Sequence, residues 1–297
     1  MKQLLRKKDK DYYWALLAIL PVLIFFIFFL LYPQIINLRY SITNYDGFSK
    51  DFKIIGLSNF ARFFKGIDPK GIVSFRNTLT FSFFSLLFGI PLQMVLALTF
   101  YNGVKGNAFF KGLFYVPSVI SLVIISVAWN NILQYRGLLN RLLEMVELAP
   151  FDWLGSPKTA MGCFIFINAW QFTGYGTIIY LAGLSSIPEE ILESASMDGA
   201  VGLKKYFYIT LPLMMHSITI GLFMGLTGSL QMFILPFILT GGGPLNSTIT
   251  FAMNIYNNAF IMQRFGYAAA LSIIFTLFIG VVTIFQMRFT RKREVSY

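Results

Sequence analysis

The feature that most constrains this sequence is a series of long apolar runs that contain no Asp, Glu, Lys or Arg. A bilayer core about 30 Å thick is crossed by roughly 20 helical residues, and irregular backbone is not tolerated against lipid. Each run has this length, so the sequence predicts an all-α integral membrane protein with six transmembrane helices. The runs are Trp14 to Tyr32, Leu79 to Tyr101, Leu113 to Leu133, Met161 to Leu181, Leu213 to Leu239 and Tyr267 to Met287.

Composition agrees with a bilayer environment, since only 12% of the residues are charged, against about 25% in soluble domains. The net charge of +11 is accounted for by basic tails that meet anionic lipid headgroups, so no nucleic-acid partner is expected. The one cysteine, Cys163, falls inside the fourth run and is expected to be a small buried residue, with no metal site.

The first run follows a basic segment, as in a secretory signal peptide. We interpret it as a retained helix, because it is longer than the roughly 7–15 residues of a signal-peptide core and has no small-residue cleavage site after it.

Orientation is predicted from Lys and Arg placement. The loops on the two sides are nearly balanced, so the short basic tails at both termini decide the orientation. Both tails are predicted to be cytoplasmic. The predicted segments are a basic tail 1–12, a first helix 13–33, an extracytoplasmic loop 34–75, a five-helix core 76–287 with a cytoplasmic loop 186–212, and a basic tail 288–297.

The loop 186–212 is polar and compact between two apolar runs. Ser186 stands three residues before Glu189, with Pro188 between them, which is a helix-start pattern. Gly199 is expected to end that helix, and Ala200 to Tyr208 form a second amphipathic segment. The loop is either a connector on the membrane surface or a docking element for a soluble partner.

The chain contains no motif that would supply energy for transport. None of the runs has a carboxylate of the kind that couples ion-driven transporters. There is no Gly-x-x-x-x-Gly-Lys-Ser/Thr phosphate loop either. The sequence therefore predicts a non-catalytic protein that borrows its energy source from a partner.

Loop 186–212 resembles the EAA loop of the permease subunits of binding-protein-dependent ABC importers. That pattern is Glu-Ala-Ala, three residues, Gly, nine residues and Ile-x-Leu-Pro. The chain departs from it at Ser194, where the family usually has Ala. The matching residues are Glu193, Ser194, Ala195, Asp198, Gly199, Ala200, Ile209, Leu211 and Pro212. Other segments, among them Gly56 to Phe60, Trp153 to Pro157 and Thr240 to Pro244, are similar to the first permease of maltose-type carbohydrate importers.

The resemblance implies a type I ABC importer permease fold, a location in the plasma membrane of a bacterium and a set of partners. These are a second homologous permease, a cytoplasmic ATPase dimer that binds ATP and Mg²⁺, and an extracytoplasmic solute-binding protein. This chain would hold no cofactor. Glu193 would anchor the loop on the ATPase, Ala195 would allow close approach, and Gly199 would make the turn.

Polar residues inside the fourth and fifth runs are the predicted substrate path, because polar groups are costly in hydrocarbon and tend to face a pathway. Neutral polar groups and aromatic faces suit a sugar. For any single residue, a hydrogen bond between helices remains the alternative. The candidates are Asn168, Trp170, Gln171, Thr173, Tyr175, Ser229, Gln231 and Met232.

Three functions stay open. The first is a sugar importer permease, and the second is an importer permease for another solute, such as a polyol, glycerol phosphate or a peptide-like ligand. The third is a channel or scaffold without an ATPase. The aromatic residues of loop 34–75 are expected to pack over the helices, with contact to the binding protein as the alternative.

Overall fold

The computed structural model describes residues 17–295. The predicted tail 1–12 and the start of the first run, from Trp14 to residue 16, lie outside the described residues. The regular secondary structure of the described residues is helical, apart from an isolated antiparallel bridge between Thr43 and Ile54. It forms two compact units, one comprising the chain up to Lys65 with Ile255–Ile274, and one comprising Gly66–Asn254 with Phe275 onward.

The first unit contains α1 (Leu17–Ser41), which includes a π-helical segment at Ile27–Leu31, and α2 (Ser58–Phe64). Helix α1 continues past the predicted end at residue 33. Beyond it, the Tyr45 ring stacks on Tyr40 at 4.4 Å and meets Phe52 at 5.1 Å. The predicted packing of loop aromatics is confirmed for Tyr45 and Phe52, whereas Phe48 is exposed.

The second unit begins with α3 (Pro69–Tyr101), which starts before the predicted residue 76. Next come α4 (Asn107–Val119), α5 (Leu122–Leu133), α6 (Leu138–Met145) and α7 (Ala160–Ser185). The polar loop contains α8 (Glu189–Met197) and α9 (Gly202–Lys205), followed by a π-helical segment at Tyr206–Thr210. Then follow α10 (Met215–Leu230) and α11 (Ile234–Leu239). Two helices have residues in both units, α12 (Phe251–Tyr256) and α13 (Phe265–Arg291).

Four helical segments among residues 17–295 are long and apolar enough to cross a bilayer. They are Leu17–Ser41, Pro69–Tyr101, Met215–Leu239 and Phe265–Arg291, and they confirm four of the predicted runs. The fifth run has a break at Gln231 to Phe233, between α10 and α11.

The third predicted run is not one straight helix. It is split into α4 and the segment that begins with α5, which meet at an angle of 96°. Together they count as a fifth crossing only if the bent pair is one span. Gln171 Nε2 donates to the Ile120 carbonyl at 3.4 Å, so a side chain satisfies backbone freed at the bend.

The fourth predicted run forms α7, whose 26 residues are enough to span a bilayer. It falls outside the four apolar segments because polar side chains such as Asn168 and Gln171 lower its mean hydropathy. Helix α7 packs along α3, α4 and α10. Gly174 makes the approach to α4 possible, since a Cβ at that position would collide with the backbone of Phe114.

Candidate functional site

The polar loop between α7 and α10 folds as two short helices joined by a tight turn, as its sequence predicts. Helix α8 ends at Met197, and Gly199 follows with φ of +79°. The Ala200 N–H donates to the Ala195 carbonyl at 2.9 Å, and the Gly199 N–H donates to the Ser196 carbonyl at 3.1 Å. These two bonds form a Schellman motif, which requires the left-handed conformation that glycine adopts without strain.

The predicted start of α8 is wrong in one detail. Ser186 is the C-cap of α7, where its hydroxyl donates to the Gly183 carbonyl at 2.8 Å. Pro188 is the N-cap of α8, and Glu189 is its first residue. The preceding helix thus extends further than expected, and α8 starts without a side-chain cap at Pro188.

One face of α8 is anchored in the helices around it. Leu192 belongs to a buried apolar cluster with Tyr180 and Leu184 of α7 and Ile218 of α10. Ala195, the residue predicted to allow close approach, is 7% exposed within this chain alone. The loop is closed on itself by Lys205 Nζ, which donates to Ser196 Oγ at 3.0 Å. Helix α8 therefore shares a buried apolar cluster with α7 and α10.

The opposite face of α8 is open to solvent. Glu193, Ser194 and Asp198 are exposed, and Met197 is 88% exposed. A shallow depression lies beside them, lined by Glu190, Ile191, Ser194, Ala195, Asp198 and Ile209. These acidic and apolar side chains are open to contact with a soluble protein, since the helix that carries them is anchored by its other face. Leu211 and Pro212, the end of the motif, are half-buried in the helical turn before α10.

A cavity of about 170 Å³ lies between α3, α7 and α10. Its walls are largely apolar, with Leu86 and Ile90 from α3 and Phe172 from α7, and its polar groups are all uncharged. Small-molecule sites usually measure roughly 300–1,000 Å³, so this cavity has the size of a part of a ligand site. The polar or potentially polar lining residues are Ser85, Gln93, Asn168, Tyr175 and Ser229.

The structure brings four of the predicted path residues to this cavity, namely Asn168, Tyr175, Ser229 and Met232. On α7, Asn168 and Tyr175 share one face with Phe172, at positions i, i+4 and i+7. The Tyr175 hydroxyl lies 3.2 Å from Met224 Sδ.

The other four predicted path residues do not line the cavity. Gln171 is buried against the bend at Ile120. The Thr173 hydroxyl donates to the Ala169 carbonyl within its own helix. Trp170 packs edge-to-face on Trp129 at 5.6 Å. Gln231 is exposed in the break after α10.

Sequence reasoning missed the contribution of α3. Ser85 and Gln93 line the cavity from that helix, and Gln93 Nε2 donates to the Phe172 carbonyl at 3.2 Å. A Cβ at Gly176 would collide with the Gln93 amide, so the two helices meet closely at this point. The signal was available, since Ser82, Ser85 and Gln93 are polar positions within the second apolar run.

The end of α13 meets the start of α10 near the polar loop. His216 Nδ1 lies 3.5 Å from Glu294 Oε2, an ion pair only when the imidazole is protonated. The pair borders an open depression that Ser217 and Arg291 also line. The C-terminal segment therefore lies beside the helix that follows the Ile-x-Leu-Pro sequence.

Residues 72–295 match the family described as binding-protein-dependent transport system inner membrane component. The chain is 30% identical to the multiple sugar-binding transport system permease protein MsmF of Streptococcus mutans, over 97% of this chain and 99% of that protein. It is also 30% identical to the lactose transport system permease protein LacF of Rhizobium radiobacter, over 97% and 98% of the two chains.

Among solved structures, the chain is similar to a chain of a bacterial alginate ABC transporter in complex with an alginate pentasaccharide-bound periplasmic protein. The TM-score is 0.84 at 28% identity, and the match covers 96% of both chains.

Proposed function

Because the chain belongs to the family of binding-protein-dependent transport system inner membrane components, we propose that it is the carbohydrate-conducting permease subunit of an ATP-driven importer. It forms half of the translocation path, and a second homologous permease forms the other half. A cytoplasmic ATPase dimer, which binds ATP and Mg²⁺, supplies the energy. An extracytoplasmic solute-binding protein delivers the sugar.

One observation carries this proposal. The exposed helix α8 is joined through Leu192 to the same two helices, α7 and α10, that line the intramembrane cavity. A rigid connection between a docking surface and a substrate path is what a transporter driven by a separate ATPase needs. A channel or scaffold that works without an ATPase has no use for it.

Coupling proceeds through α8. The exposed carboxylate of Glu193 accepts hydrogen bonds from the ATPase surface, while Met197 inserts its exposed side chain into an apolar recess there. When the ATP-bound dimer closes, it displaces α8 together with Leu192 and the cluster around Tyr180. The ends of α7 and α10 follow, which changes access to the cavity.

In the proposed orientation, the loop 186–212 and both termini lie in the cytoplasm. The last turn of α13 carries Arg288 and Arg291, as expected for a helix end on the side that retains basic residues. The loop 42–57, between α1 and α2, then lies outside the cell.

The substrate class is a neutral saccharide. The lining of the cavity contains no Lys, Arg, Asp or Glu among the described residues, so it offers no counter-charge to a phosphate or a carboxylate. Its amide and hydroxyl groups match sugar hydroxyls, and the faces of Phe172 and Tyr175 match the C–H faces of a sugar ring. The names of the bacterial relatives, which refer to multiple sugars and to lactose, support a saccharide, and the uncharged lining supports a neutral one.

Co-purification tests the proposal. The chain is tagged, extracted gently from its native membrane and analysed by mass spectrometry for the proteins that accompany it. We expect a second permease and an ATPase of the ABC class. Recovery of the chain alone, or as a homo-oligomer, under conditions that keep other ABC complexes intact would contradict the importer assignment.

The substrate is tested on the recovered complex. It is reconstituted into liposomes with its binding protein, and uptake of labelled neutral saccharides is compared with uptake of a polyol and a sugar phosphate. ATP-dependent uptake of a saccharide is expected. Uptake confined to the polyol or the sugar phosphate would be consistent with an importer but would contradict the assignment of a neutral saccharide as its substrate.

A further inference from the structure

Ser85 differs from the other serine residues of α3. It is 5% exposed, and its Oγ has no hydrogen-bond partner within the part of the chain that the structure describes. Ser74 Oγ donates to the Gly71 carbonyl at 2.9 Å, and Ser82 Oγ lies 2.6 Å from Ser229 Oγ. A helical serine normally bonds to the preceding turn of its own helix when it has no other partner. Ser85 does not, and it faces the cavity.

The groups around Ser85 form an elongated polar stripe. On α3 the two polar side chains of the stripe are Ser85 and Gln93, at positions i and i+8, with Gly89 between them. The stripe therefore runs about 12 Å along the helix axis. Asn168 and Tyr175 of α7 line the same cavity. The neighbour of the Tyr175 hydroxyl is Met224 Sδ, a weak acceptor. Several hydrogen-bonding groups of the cavity are therefore available to a ligand.

Missing side chains keep space open beside Ser85. A Cβ at Gly228 of α10 would meet nothing within 4 Å, and one at Gly89 would meet only Gln93 Nε2, at 3.8 Å. Other glycines of the cavity lining have a packing reason, since a Cβ at Gly225 would lie 2.8 Å from Leu86 Cδ2. At Gly89 and Gly228 the absent side chain leaves cavity volume.

We propose that Ser85 is a specificity-determining residue that hydrogen-bonds a hydroxyl of the transported saccharide, in a subsite whose volume depends on Gly89 and Gly228. This inference rests on the proposed function and extends it to α3, a helix for which the sequence suggested no substrate contact. A serine hydroxyl both donates and accepts, as a sugar hydroxyl does. The apolar walls at Leu86 and Phe172 exclude water from that bond.

The test uses the complete importer, reconstituted with its binding protein and assayed with labelled maltose, trehalose, lactose and diacetylchitobiose. For each sugar that the unaltered complex imports, Ser85→Ala should lower uptake by about five- to thirty-fold, the value of one lost hydrogen bond. ATP hydrolysis stimulated by the loaded binding protein should stay within about twofold of the unaltered rate, because the docking surface is intact. Ser85→Thr, which keeps the hydroxyl, should restore most of the uptake.

Gly89→Ala tests the volume of the subsite with its own control. It should lower uptake as well, since the added methyl group occupies the cavity without a clash. Gly162→Ala is the control. It makes the same exchange on α7, at a position outside the cavity lining where a Cβ would meet nothing within 4 Å. This variant should import normally.

The outcomes separate the two proposals. Undiminished uptake by Ser85→Ala, or a parallel loss of uptake and ATP hydrolysis that Ser85→Thr does not repair, would overturn the Ser85 inference and leave the importer intact. An unaltered complex that imports none of the four sugars would overturn the sugar assignment and the inference with it.

Discussion

The hydroxyl oxygens of Ser82 and Ser229 lie 2.6 Å apart, although 147 positions separate the two residues in the chain. Both side chains are buried, at 3% and 5% exposure. The bond joins α3 to the end of α10 directly beside the cavity, and the Ser229 hydroxyl also donates to the Leu226 carbonyl of its own helix at 3.1 Å. It fixes the distance between two of the three walls of the proposed path.

Removal of this bond should destabilise the helix bundle by a small amount. Interhelical hydrogen bonds in membrane proteins contribute about 0.6 kcal/mol on average and reach about 1.7 kcal/mol. Because the Ser82–Ser229 bond is short and buried, we expect a coupling energy in the upper part of that range. The measurement is a double-mutant cycle of Ser82→Ala and Ser229→Ala, read from unfolding of the purified chain. Strictly additive effects would show that the bond contributes nothing.

Gly199 should be replaceable only by residues that tolerate a positive φ. Space is not the constraint, because a Cβ there would meet nothing within 4 Å, whereas φ of +79° costs an ordinary L-residue about 1–2 kcal/mol. We expect Gly199→Val to insert into the membrane and to lose ATP-coupled uptake by about tenfold. Gly199→Asn should keep most of it, since Asn adopts the left-handed conformation more readily.

A matched control for this strain is available at Gly103, which has φ of +77° and an equally open surrounding. Gly103→Val should leave coupling unchanged, because that turn lies outside the polar loop. Equal loss of uptake in Gly103→Val and Gly199→Val would mean that backbone strain anywhere in the chain, and not the coupling turn, causes the defect.

Glu193 should matter for binding the ATPase and not for folding. Its side chain is exposed, so Glu193→Ala should leave the thermal stability of the isolated chain unchanged. The amount of ATPase that co-purifies with the chain should fall at least fivefold, because an interfacial carboxylate is lost. Glu189→Ala removes another exposed carboxylate from the same helix and should retain the ATPase. If the same amount of ATPase co-purified with Glu193→Ala, Glu193 would not contribute to the interface with the ATPase.

Asn168 and Gln231 should respond differently, although the sequence proposed both for the substrate path. Asn168 lines the cavity, and Gln231 is exposed in the break after α10. We expect Asn168→Ala to lower saccharide uptake by about fivefold at an unchanged rate of ATP hydrolysis, the cost of one hydrogen bond. Gln231→Leu should import at close to the normal rate. A larger defect in Gln231→Leu than in Asn168→Ala would place the path elsewhere.

Local rules determined a large part of this protein from its sequence. Helix length follows from bilayer thickness, so four apolar runs became segments long enough to cross a bilayer, although the fifth run is broken between α10 and α11. The turn at Gly199 follows from the conformational freedom of glycine. The number of residues between Glu193, Gly199 and Pro212 is read directly from the sequence and does not depend on any neighbouring helix. These features depend on residues that are close in the sequence, which is why they could be predicted.

Only the tertiary structure decided which polar groups face the cavity. Asn168, Trp170 and Gln171 are near neighbours on α7, yet they meet the cavity, Trp129 and the Ile120 carbonyl respectively. The same packing brought Ser85 and Gln93 of α3 into the site. A helix has no preferred face in a bilayer whose lipid is as apolar as its own side chains. The direction in which each side chain points is therefore set by the helices around it, which the sequence of one segment does not contain.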